Sequence, residues 1–384
     1  LSPRYRSYAL HCTLGTVPTV KKEEYMDSDT IKNDTPVFQS VGFIGLGLIG
    51  GSIAKTIRRI YPDTRIIAYN RSVSALDAAL KEGTIDEAGD VSLASFCTCD
   101  LIFICTPVIT ALDFMKTLKP FLKEGALITD VGSVKTEIHN FVEANGLDGY
   151  FIGGHPMAGS EKTGYANATD RLIENAWYIL TPGGEVPIER ISAFSEYISA
   201  LGALPLVMTY EEHDRVTAGI SHLPHVVSAA LVNLVHDLDG EDGCMKTIAA
   251  GGFRDITRIS SSSPQMWQEI CLSNSENICA MLDAFISRLI DYRLAIRNEN
   301  ADSILKIFTN CKEFRDSFDV SASGQLKSEY RIYLDLIDEA GSIARIAGIL
   351  AETGISIKNI GIVHNREFEQ GVLRIVFYDD DASQ

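Results

Sequence analysis

Positive charge is scarce in this 384-residue sequence: 34 lysines and arginines stand against 51 aspartates and glutamates, a formal net charge of -17. With no basic surface to neutralise phosphates, nucleic acid and anionic membrane are not expected partners, and an anionic ligand needs a local basic pocket. Cysteine pairing is missing too. Cys12, Cys97, Cys99, Cys105, Cys244, Cys271, Cys279 and Cys311 form no CxxC pair and none of the paired spacings of a zinc site. They read as reduced thiols, and no metal is expected. No apolar run reaches the roughly 18 residues of a membrane helix, and LSPRYRSYALHCTLGTVP lacks the continuous apolar core of a signal peptide. The expectation is a cytoplasmic protein. Residues 1–36 also lack apolar periodicity and open on leucine. They are expected to be a disordered or non-native extension, with Met26 a candidate natural start.

What the chain does have is apolar material for cores, 46% of its residues, enough for two or three domains. Over residues 37–182, short β-branched runs (VGFIGLG, RIIAY, LIFICTP, ALITDVG) alternate with amphipathic segments such as SVSALDAALKEG. That alternation predicts a parallel sheet covered by helices on both faces. Over residues 183–323 strand signals nearly vanish, and HVVSAALVNLVHDL and MWQEICLSNSENICAMLDAFISRLIDYRLAI predict long helices. The second runs past 25 residues with apolar positions on more than one face, which suits a helix buried between domains or subunits, so a homodimer is expected. NENADSILKIFTNCKEFRDSFDVSASGQ reads as a linker. Residues 327–384 then read strand, helix, strand, strand. The expected fold is an α/β Rossmann-type dinucleotide-binding domain, an all-α dimerisation domain and a partial α+β, ferredoxin-like domain.

GFIGLGLIGGSIAK spaces Gly45, Gly47 and Gly50 as GxGxxG between a strand and a helix. The first glycine makes the tight turn, the second lets backbone approach a pyrophosphate at the helix N-terminus, and the third lets helix and strand pack. Leu48, Ile49 and, after LIFIC, Thr106 join them as cofactor-binding candidates. At the end of the second strand, where an NAD-selective site usually offers a carboxylate to the ribose, the sequence has Asn70 and Arg71. An arginine without the carboxylate allows NADP+. The alternative is that Arg71 is a solvated surface residue and Asn70 alone holds the ribose.

FIGGHPMAGSEKTG sets His155 among glycines and before Pro156, which stiffens its loop. A dehydrogenase acting on an alcohol needs a base for the hydroxyl proton, and the small residues around His155 suggest close approach to a ligand.

GLGLIGGSIAK, DVGSVK, GGHPMAGSEKTG, SHLPH and GGFRDITRISSSSPQMW occur in the order of similar motifs in the prephenate dehydrogenase family, which the chain resembles from about Phe38 to Arg293. The resemblance implies oxidative decarboxylation of prephenate to 4-hydroxyphenylpyruvate in tyrosine biosynthesis, with NAD+ by family habit. It makes His155 the base for the ring hydroxyl and Ser133 a hydrogen-bonding partner of that hydroxyl and of His155. It places His225 near the substrate and makes Arg258 the clamp for a substrate carboxylate in a partly desolvated cleft, with Trp267 and Glu161 near the site mouth. Other readings stay open. Ser133 could cap a helix starting near Val134. Ser263 and Pro264 read as N-cap and first helical residue. His222 and His225 could suggest a metal pair but have no third ligand nearby. Arg254 faces substrate or pairs with Asp255. Arogenate is the nearest rival substrate, and less close are a 3-hydroxyacid dehydrogenase and a non-catalytic nucleotide or amino-acid sensor.

The tail resembles the ACT regulatory domain that some members of the family carry. A full unit is βαββαβ, whereas this sequence reaches YDDDASQ after its third strand, and Ala340 stands where the family often has proline, with Gly341 in place. The implied effector is tyrosine, at a site formed between tails of two subunits and expected to be weakened or lost in this shortened form.

Overall fold

The computed structural model describes residues 37–159, 162–318, 330–335, 341–355, 357–363 and 372–377. The expected N-terminal extension and Glu161 lie outside the described residues.

Five parallel strands form the first sheet: β1 (Ser40–Ile44), β2 (Arg65–Tyr69), β3 (Glu87–Ala88), β4 (Leu101–Ile104) and β5 (Leu127–Asp130), in the order β3-β2-β1-β4-β5. Helices α1 (Leu48–Ile60), α2 (Val73–Lys81), α3 (Val108–Leu118) and α4 (Thr136–Ala144) alternate with them. Every residue of β4 and β5 is buried, as helices on both faces require, which is why these strands read as unbroken apolar runs rather than alternating ones. Stacked Phe43 and Phe103, with ring centroids 5.0 Å apart, tie β1 to β4 on one face of the sheet. The strand order reverses between β1 and β4, and a crevice opens at their carboxyl ends.

A second sheet follows, of β6 (Ile152–Pro156), β7 (Trp177–Pro182) and β8 (Leu204–Val207), with α5 (Ile188–Ala200) before β8. β6 runs antiparallel to β7, and β7 parallel to β8. The expected boundary between residues 182 and 183 therefore falls between two elements of one sheet. LPLV is too short, and too near a helical pattern, to announce itself as a strand.

Next come α6 (Tyr210–Thr217), α7 (Leu223–Leu238), α8 (Cys244–Ile248), α9 (Gly251–Thr257), α10 (Pro264–Ser273), α11 (Ser275–Arg297) and α12 (Ala301–Asp316). Thr209 caps α6, its side chain accepting from the Glu212 amide at 3.2 Å, and a π-helical turn over Ala218–His222 joins α6 to α7. Pro224 has no N–H to continue the ladder, which accounts for the wide turn. Tyr210–Leu238 is thus one 29-residue helical stretch with a window of mean hydropathy 1.4, long and apolar enough to cross a membrane by those measures alone. This corrects the expectation that no segment reaches that length, because histidine, serine and asparagine interrupt the apolar run without adding charge. Its buried side chains include His213, Asp214, Thr217, His222 and Ser228, all with protein hydrogen-bond partners.

Two further expectations are corrected. The long predicted helix breaks at Asn274 into α10 and α11, and the predicted linker contains α12, capped by Asn300, which accepts from the Ser303 amide at 3.0 Å. Ser263 and Pro264 do start α10 as its cap and first residue.

The C-terminal unit has β9 (Tyr330–Asp335), α13 (Ser342–Glu352), β10 (Ile357–Val363) and β11 (Val372–Phe377), with antiparallel order β10-β11-β9. Leu373, Ile375 and Phe377 alternate inward and pack with Ile346 and Leu350 of α13.

Candidate active site

At the carboxyl end of β1 the three glycines divide their work. Gly45 has φ 104°, and a Cβ there would lie 2.6 Å from the Cys105 carbonyl oxygen, so the turn presses against the end of β4. A Cβ at Gly50 would lie 2.2 Å from the Gly45 carbonyl oxygen, the price of packing α1 so close to the strand. A Cβ at Gly47 would meet nothing within 4 Å among the described residues, which leaves open space at the N-terminus of α1. Asn70 braces this loop from β2: its Oδ1 accepts from the Leu46 amide at 3.0 Å and its Nδ2 donates to the Ser72 carbonyl at 3.2 Å. Arg71 is exposed and lines no part of the cleft.

The cleft in front of the loop has a volume of about 610 Å³. Gly47, Leu48, Ile49, Gly50, Thr106, Ser133 and His155 line it from the sheet side, and Gln265, Met266, Glu269 and Ile270 of α10 line it from the helical side. Among the described residues the buried Thr106 hydroxyl finds no partner. Open backbone at Gly47, a helix N-terminus and this orphaned hydroxyl fit a dinucleotide's phosphates and ribose.

His155 sits on β6 with 8% of its surface exposed. Its Nδ1 lies 2.8 Å from His213 Nε2, and His213 Nδ1 lies 2.7 Å from Asp214 Oδ1. Asp214 Oδ1 also accepts the Lys135 amide and Oδ2 the Thr136 amide, both at 2.8 Å. Burial alone would raise the Asp214 carboxyl, but the bonds from His213 and from the amides at the start of α4 hold it below the usual range. A carboxylate there fixes the protons: His213 donates from Nδ1, so its Nε2 accepts, and His155 donates from Nδ1. The remaining nitrogen of His155, Nε2, is left with a lone pair. Burial, then His213 and Lys135, push His155 well below 6.5, so near pH 7 it stays neutral, with its Nε2 lone pair free to accept a proton.

Neither His213 nor Asp214 stood out in the sequence. The available signal was a His-Asp pair just inside a helix capped by threonine, TYEEHD. The structure also settles the reading of Ser133 as a helix cap: α4 begins at Thr136, its N-terminal amides belong to Asp214, and Ser133 faces the cleft. No hydrogen bond joins Ser133 to His155 among the described residues.

The glycines before His155 have a different purpose from the expected approach to a ligand. A Cβ at Gly154 would meet the Asp130 carbonyl oxygen at 2.5 Å, and one at Gly153 would meet Thr181 Oγ1 at 2.3 Å and Lys135 Cδ at 3.1 Å. The strand needs them to lie against a buried ion pair, Asp130 with Lys135.

The other candidates gather elsewhere. His225 stacks on Trp267 with centroids 3.8 Å apart, and its Nδ1 donates to the Ser221 carbonyl at 3.0 Å. Burial lowers its pKa, and Arg258 adds to the effect. Trp267 Nε1 is buried without a hydrogen-bond partner among the described residues. Arg258 opens a 3-10 turn and is exposed in this chain, not desolvated as expected. Exposed Arg254 and Asp255 on α9 form no ion pair with each other among the described residues. His222 stands between the two groups. Its ring meets Trp267 edge-on with centroids 6.1 Å apart, Nδ1 accepts from Asn274 Nδ2 at 3.1 Å, and Nε2 is buried without a hydrogen-bond partner among the described residues. Burial brings its pKa to about 4.

A glycine loop at the switch point of a parallel sheet, facing a buried neutral histidine, defines a nucleotide-dependent dehydrogenase. Residues 53–206 match the family model described as prephenate dehydrogenase, nucleotide-binding domain, and residues 209–310 the one described as prephenate dehydrogenase, dimerization domain. The prephenate dehydrogenase of Bacillus subtilis is 40% identical over 339 residues, 88% of this chain and 91% of that protein. Among solved structures, prephenate dehydrogenase from Aquifex aeolicus, in complex with hydroxyphenyl propionate and NAD+, matches with a TM-score of 0.70 and 32% identity, over 74% of this chain and 100% of that one. Synechocystis arogenate dehydrogenase matches with a TM-score of 0.66 and 32% identity, over 73% and 100%. The chain belongs to the prephenate dehydrogenase family.

Proposed function

We propose that this chain oxidises prephenate at C4 and releases the ring carboxylate as CO2, giving 4-hydroxyphenylpyruvate. NAD+, the ligand named with the Aquifex relative, supplies the hydride acceptor when bound at the glycine loop. The observation that carries the reading is the bonded chain His155–His213–Asp214, which leaves a lone pair on Nε2 of a buried histidine that lines the nucleotide cleft.

His155 Nε2 takes the C4 hydroxyl proton as that carbon loses its hydride. The positive charge that forms on His155 is stabilised through His213 by the Asp214 carboxylate, and α4 in turn fixes that carboxylate. Loss of CO2 leaves electrons on the ring oxygen, which takes a proton back and closes the balance. Ser133 orients the hydroxyl from the opposite segment of the cleft. Arg258, with His225 and Trp267, holds a substrate carboxylate, the local cation that a chain of charge -17 requires. The nucleotide-binding part extends through β8, and the dimerisation part over residues 209–310 covers its exposed apolar side chains, among them Ile286, Leu289 and Phe308, with a second copy. The free cysteines suit a cytoplasmic enzyme.

We propose that the C-terminal unit is ACT-like, with tyrosine as the effector for a site formed between the tails of two subunits. Its βαββ order supports this, as does Gly341, with φ 100°, at the start of α13.

The test is absorbance at 340 nm with prephenate or arogenate and NAD+ or NADP+, on the parent and on His155→Asn. The expected result is NADH formation from prephenate, reduced roughly 10² to 10⁴-fold in the variant, with NAD+ affinity unchanged. No turnover of prephenate by the parent, or full turnover by the variant, overturns the reading.

A further inference from the structure

The two residues proposed to handle the substrate hydroxyl come from different strands. Ser133 follows β5, and His155 lies on β6. Among the described residues the backbone ladder between these strands is a single bridge, Ile128 to Phe151. One side chain spans the gap above it. Asp130, 1% exposed, accepts the Gly132 amide on Oδ2 at 2.7 Å and the Gly154 amide on Oδ1 at 3.1 Å. Gly132 immediately precedes Ser133, and Gly154 immediately precedes His155. Lys135, with no exposed surface, pairs with Oδ2 from the start of α4.

We propose that Asp130 is a positioning residue that sets the separation of Ser133 and His155, with Lys135 as its counter-charge. The inference rests on the roles given to those two residues above. The surrounding backbone is shaped for it: a Cβ at Gly132 would lie 2.8 Å from Asp130 Oδ2, and one at Gly154 would lie 2.5 Å from the Asp130 carbonyl oxygen. A buried ion pair adds little stability over a well-packed neutral pair, so stability alone gives the carboxylate no particular purpose here. Geometry does. Two oxygens can accept two amides held apart, whereas an asparagine has one acceptor oxygen and an NH2 that cannot accept. Asp130→Asn thus keeps the volume and releases one of the two segments.

The experiment compares Asp130→Asn, Asp130→Asn with Lys135→Met so that no buried ammonium is left unpaired, and His155→Asn. It measures kcat, KM, NAD+ affinity by fluorescence titration, thermal midpoint and the deuterium effect from substrate labelled at C4. The expected result, in whichever Asp130 variant folds, is a fall in kcat of about 10- to 100-fold, the cost of misplacing a reacting group by about 1 Å. NAD+ affinity stays within about twofold, and the isotope effect rises as the chemical step becomes slower. If His155→Asn is inactive while the Asp130 variants keep the parent's kcat, the positioning role is wrong and the base assignment survives. Parallel loss of kcat, NAD+ affinity and thermal midpoint, or failure of both variants to fold, makes Asp130 a core ion pair only. If His155→Asn is itself active, the proposed base falls first.

Discussion

The role of base proposed for His155 needs more than an imidazole; the proton on its Nδ1 has to be kept there. That depends on Asp214, reached through His213, which lies 58 positions further along the chain than His155. Asp214→Asn tests this directly. The asparagine NH2 would donate to His213 Nδ1, His213 would then carry its proton on Nε2, and His155 would turn its N–H toward the cleft. The expected loss in kcat is roughly 10² to 10⁴-fold, comparable with losing the base itself, while NAD+ affinity holds, because the wrong tautomer cannot accept a proton. A variant within threefold of the parent in kcat would show that His155 does not depend on this chain of bonds.

Elements are placed by side chains that the sequence pattern treats as incidental. Asn274 divides what reads as one helix because its amide is spent on tertiary bonds, 2.8 Å to the Asp214 carbonyl and 3.1 Å to His222 Nδ1. The break lets α10 face the nucleotide cleft while α11 continues in its own direction. At the C-terminus, β9, α13, β10 and β11 form a unit with its own small core, whose inward positions Ile332, Leu334, Leu373, Ile375 and Phe377 alternate as a one-sided sheet should. If that unit holds the tyrosine site, a version of the chain ending near Ser323 keeps prephenate turnover and loses tyrosine inhibition. Equal inhibition of the two would place the effector site in the catalytic part and remove the regulatory role proposed for the tail.

For the whole molecule, several buried histidines are held neutral together. Burial takes His139 and His222 from 6.5 to about 4, and lowers His155 and His213 in the same direction. The folded pKa values lie below the unfolded ones, so below about pH 6.5 the unfolded chain binds protons that the folded chain refuses. Stability is therefore full above that pH and is lost as pH falls from about 6.5 to about 4, by up to roughly 3 kcal/mol for each fully shifted histidine. Urea midpoints measured at pH 8, 7.5 and 5 should be level between the first two and drop at the third. Midpoints unchanged down to pH 5 would mean these rings are hydrated or already charged in the folded state.

The sequence by itself determined the glycine loop, the parallel sheet around it, the run of helices after it and the terminal βαββ unit. Each of these is written in local periodicity and turn chemistry, which neighbouring residues carry among themselves. His155 and Ser133 could also be picked out, since each sits in a short motif, and the tertiary structure then brought both to one cleft. Only that structure decided what His155 is bonded to, why glycines precede it, and where Arg258, His225 and Trp267 stand relative to it. Asp130 to Gly154, His155 to His213 and Asp214 to Lys135 are contacts 24, 58 and 79 positions apart in the chain. No period or spacing encodes a partner at such a distance. A buried hydrogen bond is chosen by which strands and helices come to lie together, and the strength of a base inside a protein is set by that choice.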